Sequence, residues 1–360
     1  MLSVVQVLVD DLHQPARRRH AADEAIGGSF LNLAVVVAGE FQRRHDDDHR
    51  ITGEGIAFDV PGHLAAVHIR HTQINQHHVR VMRRRDFQRV RDAFDEFLHR
   101  LPFYGLAVLC IEDPEVAELA EAMPRHVLSY GFVEAAHVRA EDVAQDGGRM
   151  RFTLCLPEGV RQPVVLNLPG RHNVLNALAA AAVGWTVGVE PDAIARALAS
   201  FGGIGRRFNV LGELALKQGR ATVVDDYGHH PAELEAVFEA ARGGWPERRL
   251  VVAFQPHRYT RTRDLLDEFA AVLSTADAVV LSEVYPAGEA PIAGADSKAL
   301  ARAIRARGRI DPVVAGPART LPDVLADVLQ DGDLLLLMGA GDIGQVAPRL
   351  MADGLPGEGA

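Results

Sequence analysis

The stretch Asp225-Asp226-Tyr227-Gly228-His229-His230-Pro231 gathers two carboxylates, a phenol and two imidazoles. Carboxylates so placed can hold a ribose or a cation, and imidazole exchanges protons near neutral pH. The same residues also fit a plainer role, an aspartate N-cap beside surface histidines with Pro231 opening the helix. Further on comes Gln255-Pro256-His257-Arg258-Tyr259-Thr260-Arg261-Thr262-Arg263-Asp264. Arg258 and Arg261 share one face of a turn and can grip a carboxylate or phosphate, although a solvated basic turn has the same spacing. Gly170-Arg171-His172-Asn173-Val174-Leu175-Asn176 opens a helix with Asn173 and Asn176 on one face. Amides suit an adenine edge, and Asn173 equally suits an N-cap. Gly205-Arg206-Arg207-Phe208 offers cations for a phosphate.

Other patterns carry less. Gly339-Ala340-Gly341-Asp342-Ile343-Gly344 fits G-x-G-x-x-G, but neither a following strand nor an acidic residue about 20 positions on accompanies it. It reads as a tight strand-to-helix turn beside a ligand. No G-x-x-x-x-G-K-[ST] occurs: the two lysines are Lys217 in LALKQGR and Lys298 in ADSKALAR. His45-Asp46-Asp47-Asp48-His49 and His77-His78 read as solvated runs, because adjacent charges point in different directions rather than at one ion.

The elements that must position these groups are clear from about Leu211 onward. ATVVDDY, RLVVAFQP, DAVVLSEVY, DPVVAG and DLLLLMG read as strands. PAELEAVFEAAR, RTRDLLDEFAAVL, SKALARAIRARG and TLPDVLADVLQ read as the helices between them, with a short terminal helix after. Alternation of helices with near-continuous apolar strands predicts a doubly wound, mostly parallel α/β sheet, whose ligands gather where strands end. Upstream, DFQRVRDAFDEFLHRL has helical spacing at Phe87, Val90, Phe94, Phe97, Leu98 and Leu101, and GLAVLCI is a buried strand. Short β-like runs follow (HVLSYGF, HVRAEDV, RMRFTLCL, QPVVLNLPG). An Ala-rich helix over 173–184 and a helix over 191–201 come next.

Composition excludes several classes. The chain has 360 residues, 48% hydrophobic and 24% charged, with net charge −10, as in a soluble globular protein of two or three domains. Cys110 and Cys155 lie in apolar runs and read as buried thiols, not a disulfide scaffold. The start MLSVVQVLVDDL lacks a signal-peptide pattern and no apolar stretch is long enough for a span, so a cytoplasmic protein is expected. Nucleic-acid and membrane partners are not expected. The first 85 residues stand apart, with 11 Arg against 10 Asp and Glu and nine of the 16 His. Within them VVQVLV and LNLAVVVAG are the candidate strands.

GRHNVLNALAA, GIGRRFNVLGE, VVDDYGHHPAE, AFQPHRYTRTRDL, EVYPAGEAPIAGADS and GAGDIG, in this order, resemble the Mur ligase family from about Asp86 to Leu350. The resemblance implies a Rossmann-like C-terminal domain over 208–352 and an incomplete central α/β ATPase-type domain over 86–207. Residues 1–85 stay unmatched and 353–360 form a tail. It also implies an ATP- and Mg2+-dependent ligase of peptidoglycan precursor synthesis. In the reaction that the resemblance implies, the carboxylate of UDP-N-acetylmuramate takes the γ-phosphate of ATP, and the amine of L-alanine attacks the acyl phosphate to give an amide, ADP and phosphate. Carried over by motif, His172, Asn173 and Asn176 contact adenine, Arg207 reaches phosphate and Asp226 holds the ribose. Tyr227, His229, His257, Arg258 and Arg261 build the amino-acid end, with the arginines on the alanine carboxylate and with Arg207 and His229 nearest the chemistry. Asn209 stands where the family more often has glutamine or aspartate.

The family's Gly-rich UDP-sugar turn, G-T-H-G-K-T-T phosphate loop, E-A-D-E-S-D run and N-I-D-x-D-H segment have no counterpart in residues 1–85. Ile51-Thr52-Gly53 runs into Glu54-Gly55-Ile56 with no lysine. Three expectations follow. Residues 1–85 derive from a wrong reading frame or start, or from a degraded gene, and are poorly folded. The central sheet is left open where the phosphate-loop strands belong. The 360-residue polypeptide by itself does not complete ligation, and its alternative role is that of a non-catalytic remnant binding nucleotide or amino acid weakly.

Overall fold

The computed structural model describes residues 104–124 and 126–356, together with 94–95, 98–99, 101–102 and the strands β1 (Asn32–Val36) and β2 (Ile69–His71). VVQVLV, the two His-rich runs and the remainder of residues 1–85 lie outside the described residues. The chain divides into two compact units, the second beginning in the main at Gly202.

The first unit is built on a seven-stranded sheet in the order β2-β1-β3-β4-β5-β6-β7. Its later strands are β3 (Leu106–Cys110), β4 (His126–Gly131), β5 (Val138–Asp146), β6 (Arg149–Cys155) and β7 (Arg161–Leu166). β3, β4 and β5 are parallel, and β6 and β7 form an antiparallel pair. The edge of β3 expected to stand open carries β1, which runs antiparallel to it and in turn pairs with β2. An unpaired edge exposes a row of backbone donors and acceptors, and any compatible segment satisfies them. Helix α1 (Pro114–Ala122) is capped by the Asp113 side chain, and with Leu98 and Leu101 it covers one face of β3. Residues 94–95 and 98–99 are helical, as the spacing of Phe94 and Leu98 requires. Helices α2 (Arg171–Thr186) and α3 (Pro191–Ser200) complete the unit, and Cys110 and Cys155 are buried and not joined in a disulfide.

The second unit is the doubly wound domain. Its six strands are β8 (Asn209–Ala215), β9 (Arg220–Asp226), β10 (Leu250–Phe254), β11 (Ala278–Leu281), β12 (Val313–Val314) and β13 (Leu334–Met338). They lie in the order β12-β11-β10-β13-β9-β8, all parallel except β8, which runs antiparallel on the outer edge of β9. Successive residues of a strand face opposite sides, which explains the unbroken apolar runs. Val224, Val252 and Leu336 pack under α4 (Pro231–Gly244), α6 (Leu266–Leu273) and α7 (Ser297–Ala306). Their neighbours Val223, Val251 and Leu335 pack under α8 (Leu321–Val328) and α9 (Val346–Asp353). The single helix expected over 261–273 is two: α5 (Tyr259–Asp264) and α6, jointed at buried Leu265, whose dihedrals leave the helical region. The joint lets α5 follow its loop while Phe269, Ala270 and Leu273 of α6 reach the core. β8, which the sequence reading did not anticipate, carries a bulge between Val210 and Gly212.

Register fixes where the chemistry lies. Asp226, Met338, Phe254 and Leu281 end four adjacent strands at one level, so the loops after β9, β13, β10 and β11 share one sheet edge.

Candidate active site

Asp225 and Asp226 are the last residues of β9, not a helix cap. The cap of α4 is His230, whose Nδ1 accepts from the Ala232 N–H, with Pro231 in the first turn. Glu233 closes the box: its Oε2 accepts from the N–H groups of His229 at 2.9 Å and His230 at 3.1 Å. This holds Tyr227–His230 in a fixed path and leaves the Tyr227 ring on the surface.

Asp226 is 1% exposed. Its Oδ2 accepts from Phe208 N–H at 2.7 Å and its Oδ1 from Gly228 N–H at 2.6 Å. Burial disfavours the charge more than these donors favour it, and the carboxyl is pushed up to about 6. Asp225 is also raised by burial, against the pull of Arg206.

The arginine loop joins this loop directly. The rings of His229 and His257 lie 5.4 Å apart, and His257 stacks on Tyr285, beyond β11, at 5.4 Å. Burial together with the positive charge of Arg261 and Arg258 and the neighbouring His229 holds His257 down to about 4, so it is neutral at physiological pH. The Arg261 guanidinium reaches its Nδ1 at 3.4 Å, which makes that nitrogen the acceptor. His229 Nδ1 faces the Tyr227 carbonyl at 3.0 Å, which makes it the donor and leaves Nε2 with a free lone pair. Burial also lowers His229. Arg261 is partly desolvated, and among the described residues its guanidinium has no carboxylate within ion-pair distance. Arg258 takes φ +69°, donates its N–H to the Tyr285 carbonyl and pairs with Glu289 at 3.7 Å. Glu289 in turn accepts from the Thr260 N–H at 3.0 Å and hydroxyl at 2.7 Å, capping α5 from another loop.

The glycines of the last loop are packing residues. Gly339 has φ +146°, and a Cβ there would stand 2.8 Å from the Gln255 carbonyl oxygen. A Cβ on Gly341 would overlap the Gln255 side chain and the Tyr285 ring. Gln255 uses its amide on Asp342 and on the Ile343 N–H, which ties β10 to the turn after β13. The second unit thus brings together Arg207, Asp226, Tyr227, His229, His257, Arg258 and Arg261. Glu233, Gln255, Tyr285 and Glu289 were not singled out from the sequence. A glutamate in the Pro- and Gly-rich loop opposite an arginine loop was the available signal for Glu289.

In the first unit, Asn173 is the third residue of α2, so the N-cap reading fails: the helix already runs from Arg171. Asn173 is buried and accepts from the Asn176 amide at 3.3 Å, while His172 is half-buried beside it in the first turn. Arg171 lies over the Phe132 ring at 4.0 Å. Both lysines are on the surface, Lys217 in the β8–β9 turn and Lys298 on α7. Among the described residues no three His, Cys, Asp or Glu side chains gather as a metal site, and no helix is long and apolar enough to cross a membrane.

Residues 69–184 match the Mur ligase middle domain, and residues 206–341 match the domain described as Mur ligase, glutamate ligase domain. The chain belongs to the Mur ligase family. The UDP-N-acetylmuramate–L-alanine ligase of Xanthomonas campestris pv. campestris strain B100 is 74% identical over 273 residues, 76% of this chain and 57% of that protein. Its counterpart in Xanthomonas oryzae pv. oryzae strain PXO99A is 72% identical over 274 residues. This Mur ligase chain therefore spans 57% of the length of the curated relatives it matches. Among solved structures, the UDP-N-acetylmuramate–alanine ligase of Thermotoga maritima superposes with TM-score 0.58 at 25% identity, over 74% of this chain and 54% of that one. The Thermotoga maritima MurF ligase in complex with ADP shares the fold, with TM-score 0.55 at 19% identity over 74% of this chain and 57% of its own.

Proposed function

We propose that this chain serves the ATP-dependent ligation of L-alanine to UDP-N-acetylmuramate, supplying the nucleotide-side and amino-acid-side residues of that enzyme. The observation that carries the reading is the cluster at the sheet edge, in which desolvated Arg261 and half-exposed Arg258 converge beside two neutral imidazoles. A partly buried guanidinium without an anionic partner is a receptor for a small carboxylate, because pairing recovers the cost of its desolvation. Identity of 72–74% to ligases of this name supports L-alanine as the carboxylate's owner. No observation favours the weak-binding remnant as a separate function.

In this reading Arg258 and Arg261 hold the alanine carboxylate, with Tyr227 and His257 as walls. The free Nε2 of His229 takes the proton that the amine sheds as the C–N bond forms. Arg207 offsets charge on the phosphate oxygens, and Asp226 stands at the ribose end with the loop backbone already bound to it. His172, Asn173 and Asn176 of the first unit serve the adenine. ATP is the cofactor in this reading, with magnesium as its counter-ion. No described cluster fits that metal, so no step is routed through it. We take 86–207 as the remaining part of the ATP-binding domain and 208–352 as the C-terminal domain. The second of these carries the loops described above.

Titration of the 360-residue protein with L-alanine and with ADP tests this reading. Saturable binding of both, with D-alanine and L-glutamate bound at least about tenfold more weakly than L-alanine, supports it. Equal binding of all three amino acids, or of none, overturns it.

A further inference from the structure

The pair Arg206-Arg207 reads from sequence as two interchangeable cations, but the structure separates them. Arg206 takes φ +60° and Phe208 φ +43°, both left-handed conformations that a side chain with Cβ rarely adopts. Arg207 therefore stands between two strained residues. Strain persists only where the surroundings over-determine it, and here they do. The Arg206 carbonyl accepts from Tyr227 N–H at 2.7 Å, and the Phe208 N–H is held by buried Asp226. The Phe208 ring is 2% exposed and stacks on Trp245 at 5.9 Å.

The Arg206 side chain closes the arrangement. Its Nη2 donates to the Gly339 carbonyl at 2.6 Å, its Nε faces the Asp225 carboxylate at 3.3 Å, and its guanidinium lies 5.1 Å from the Tyr227 ring centroid. It lies directly against Gly344: a Cβ there would overlap the Arg206 guanidinium and make it shift from this seat. Arg206 thus joins the ends of β9 and β13 with its charge already matched by Asp225. Arg207 has no ion pair or side-chain hydrogen bond among the described residues, and its guanidinium stays partly desolvated.

We propose that Arg206, seated on Asp225, the Gly339 carbonyl and the bare face of Gly344, is a positioning residue that holds the strained 206–208 segment so that Arg207 alone is presented to phosphate. The inference rests on the reading above that Arg207 meets phosphate. It assigns opposite duties to two adjacent arginines: one anchors the backbone and the other waits for the ligand.

The test is ADP affinity of the full chain, measured by calorimetry for Arg206→Gln, Arg207→Ala, Gly344→Ala and the double variant Arg206→Gln/Arg207→Ala. Arg207→Ala is expected to weaken ADP about tenfold, a charged hydrogen bond's worth, and Arg206→Gln about fivefold. The double variant should be no weaker than Arg207→Ala alone, because a residue acting through Arg207 has nothing left to act on. Gly344→Ala, which keeps both arginines, should reproduce Arg206→Gln. Additive losses in the double variant, or unchanged affinity in Gly344→Ala, overturn the inference. Unchanged affinity in Arg207→Ala, or no ADP binding by the parent, instead overturns the reading of Arg207. The clamp is checked separately by phenylglyoxal labelling mapped on peptides. Arg207 should react and Arg206 should be protected in the parent, with both reactive in Gly344→Ala. Equal labelling in the parent refutes the clamp whatever the nucleotide does.

Discussion

Asp226→Asn separates burial from hydrogen bonding at the centre of the site. The carboxyl is buried and raised to about 6 from an ordinary 3.8, although two backbone N–H groups point at it. With the folded value above the unfolded one, the native protein holds this proton more tightly than the unfolded chain does. The stability so contributed is full below about pH 4 and is lost as pH rises through about 6. A gap of roughly two pH units, at about 1.4 kcal/mol each, makes that loss about 3 kcal/mol. Asparagine does not titrate, but its Nδ2 cannot accept the second of these backbone N–H groups, which costs about 1–2 kcal/mol at every pH. The Asn variant should therefore be less stable by that amount near pH 4, and the difference should move in its favour by about 3 kcal/mol by pH 7.5. Urea unfolding of both proteins at several pH values, followed by tryptophan fluorescence, gives this difference directly. A difference that stays flat with pH, or that favours aspartate at neutral pH, would show that the two amides outweigh burial and would refute the reasoning. A carboxylate kept at such a cost is explained by its hold on Phe208 and Gly228, which shapes the segment that carries Arg207.

On the proposed reading Arg261→Gln removes a charge-assisted contact to the amino-acid carboxylate, and L-alanine binding should weaken by about 1.5–3 kcal/mol, roughly 10- to 150-fold, by calorimetric titration. Gly339→Ala forces a side chain into φ +146° and against the Gln255 carbonyl. It should cost about 2–4 kcal/mol in urea unfolding, and a loss under about 1 kcal/mol would show that the turn can relax. Glu233→Ala strips the acceptor from two N–H groups at the start of α4 and should cost about 1–2 kcal/mol, with faster amide exchange at His229 and His230 as its local signature.

The site-bearing half of the fold was legible because its strands are buried on both faces. β9, β10 and β13 each read as an unbroken apolar run, and the polar residues that end them are the loops that meet in space. β8 escaped notice because an edge strand with Asn209, Gly212 and Glu213 shows neither a continuous run nor clean alternation. The joint at Leu265 escaped because its cause is tertiary: α5 answers to Glu289 and Tyr285, and α6 answers to the core. The same holds for Arg206 and Arg207. Their surroundings differ through Gly344 and Gly339, far along the chain, and no local pattern carries that information. The glycines of the last loop were legible as a tight turn, but only the structure shows that Gln255, Tyr285 and Arg206 are what they make room for. The pairing of β1 with β3 follows from an exposed ladder edge and lay beyond sequence pattern.

In the proposed function, residues 86–360 hold the nucleotide-side and amino-acid-side machinery of an L-alanine ligase. The most direct measurement places these residues behind the N-terminal portion of the Xanthomonas campestris relative that this chain does not match. That protein is then assayed for ATP- and L-alanine-dependent conversion of UDP-N-acetylmuramate, with the 360-residue chain assayed beside it. Product, ADP and phosphate are expected in equal amounts from the chimera and should be lost on Arg261→Gln. None is expected from the 360-residue chain, whose two lysines, Lys217 and Lys298, stand in no phosphate loop. A folded chimera that binds ATP and forms no product, or robust ligation by the 360-residue chain alone, would contradict this reading.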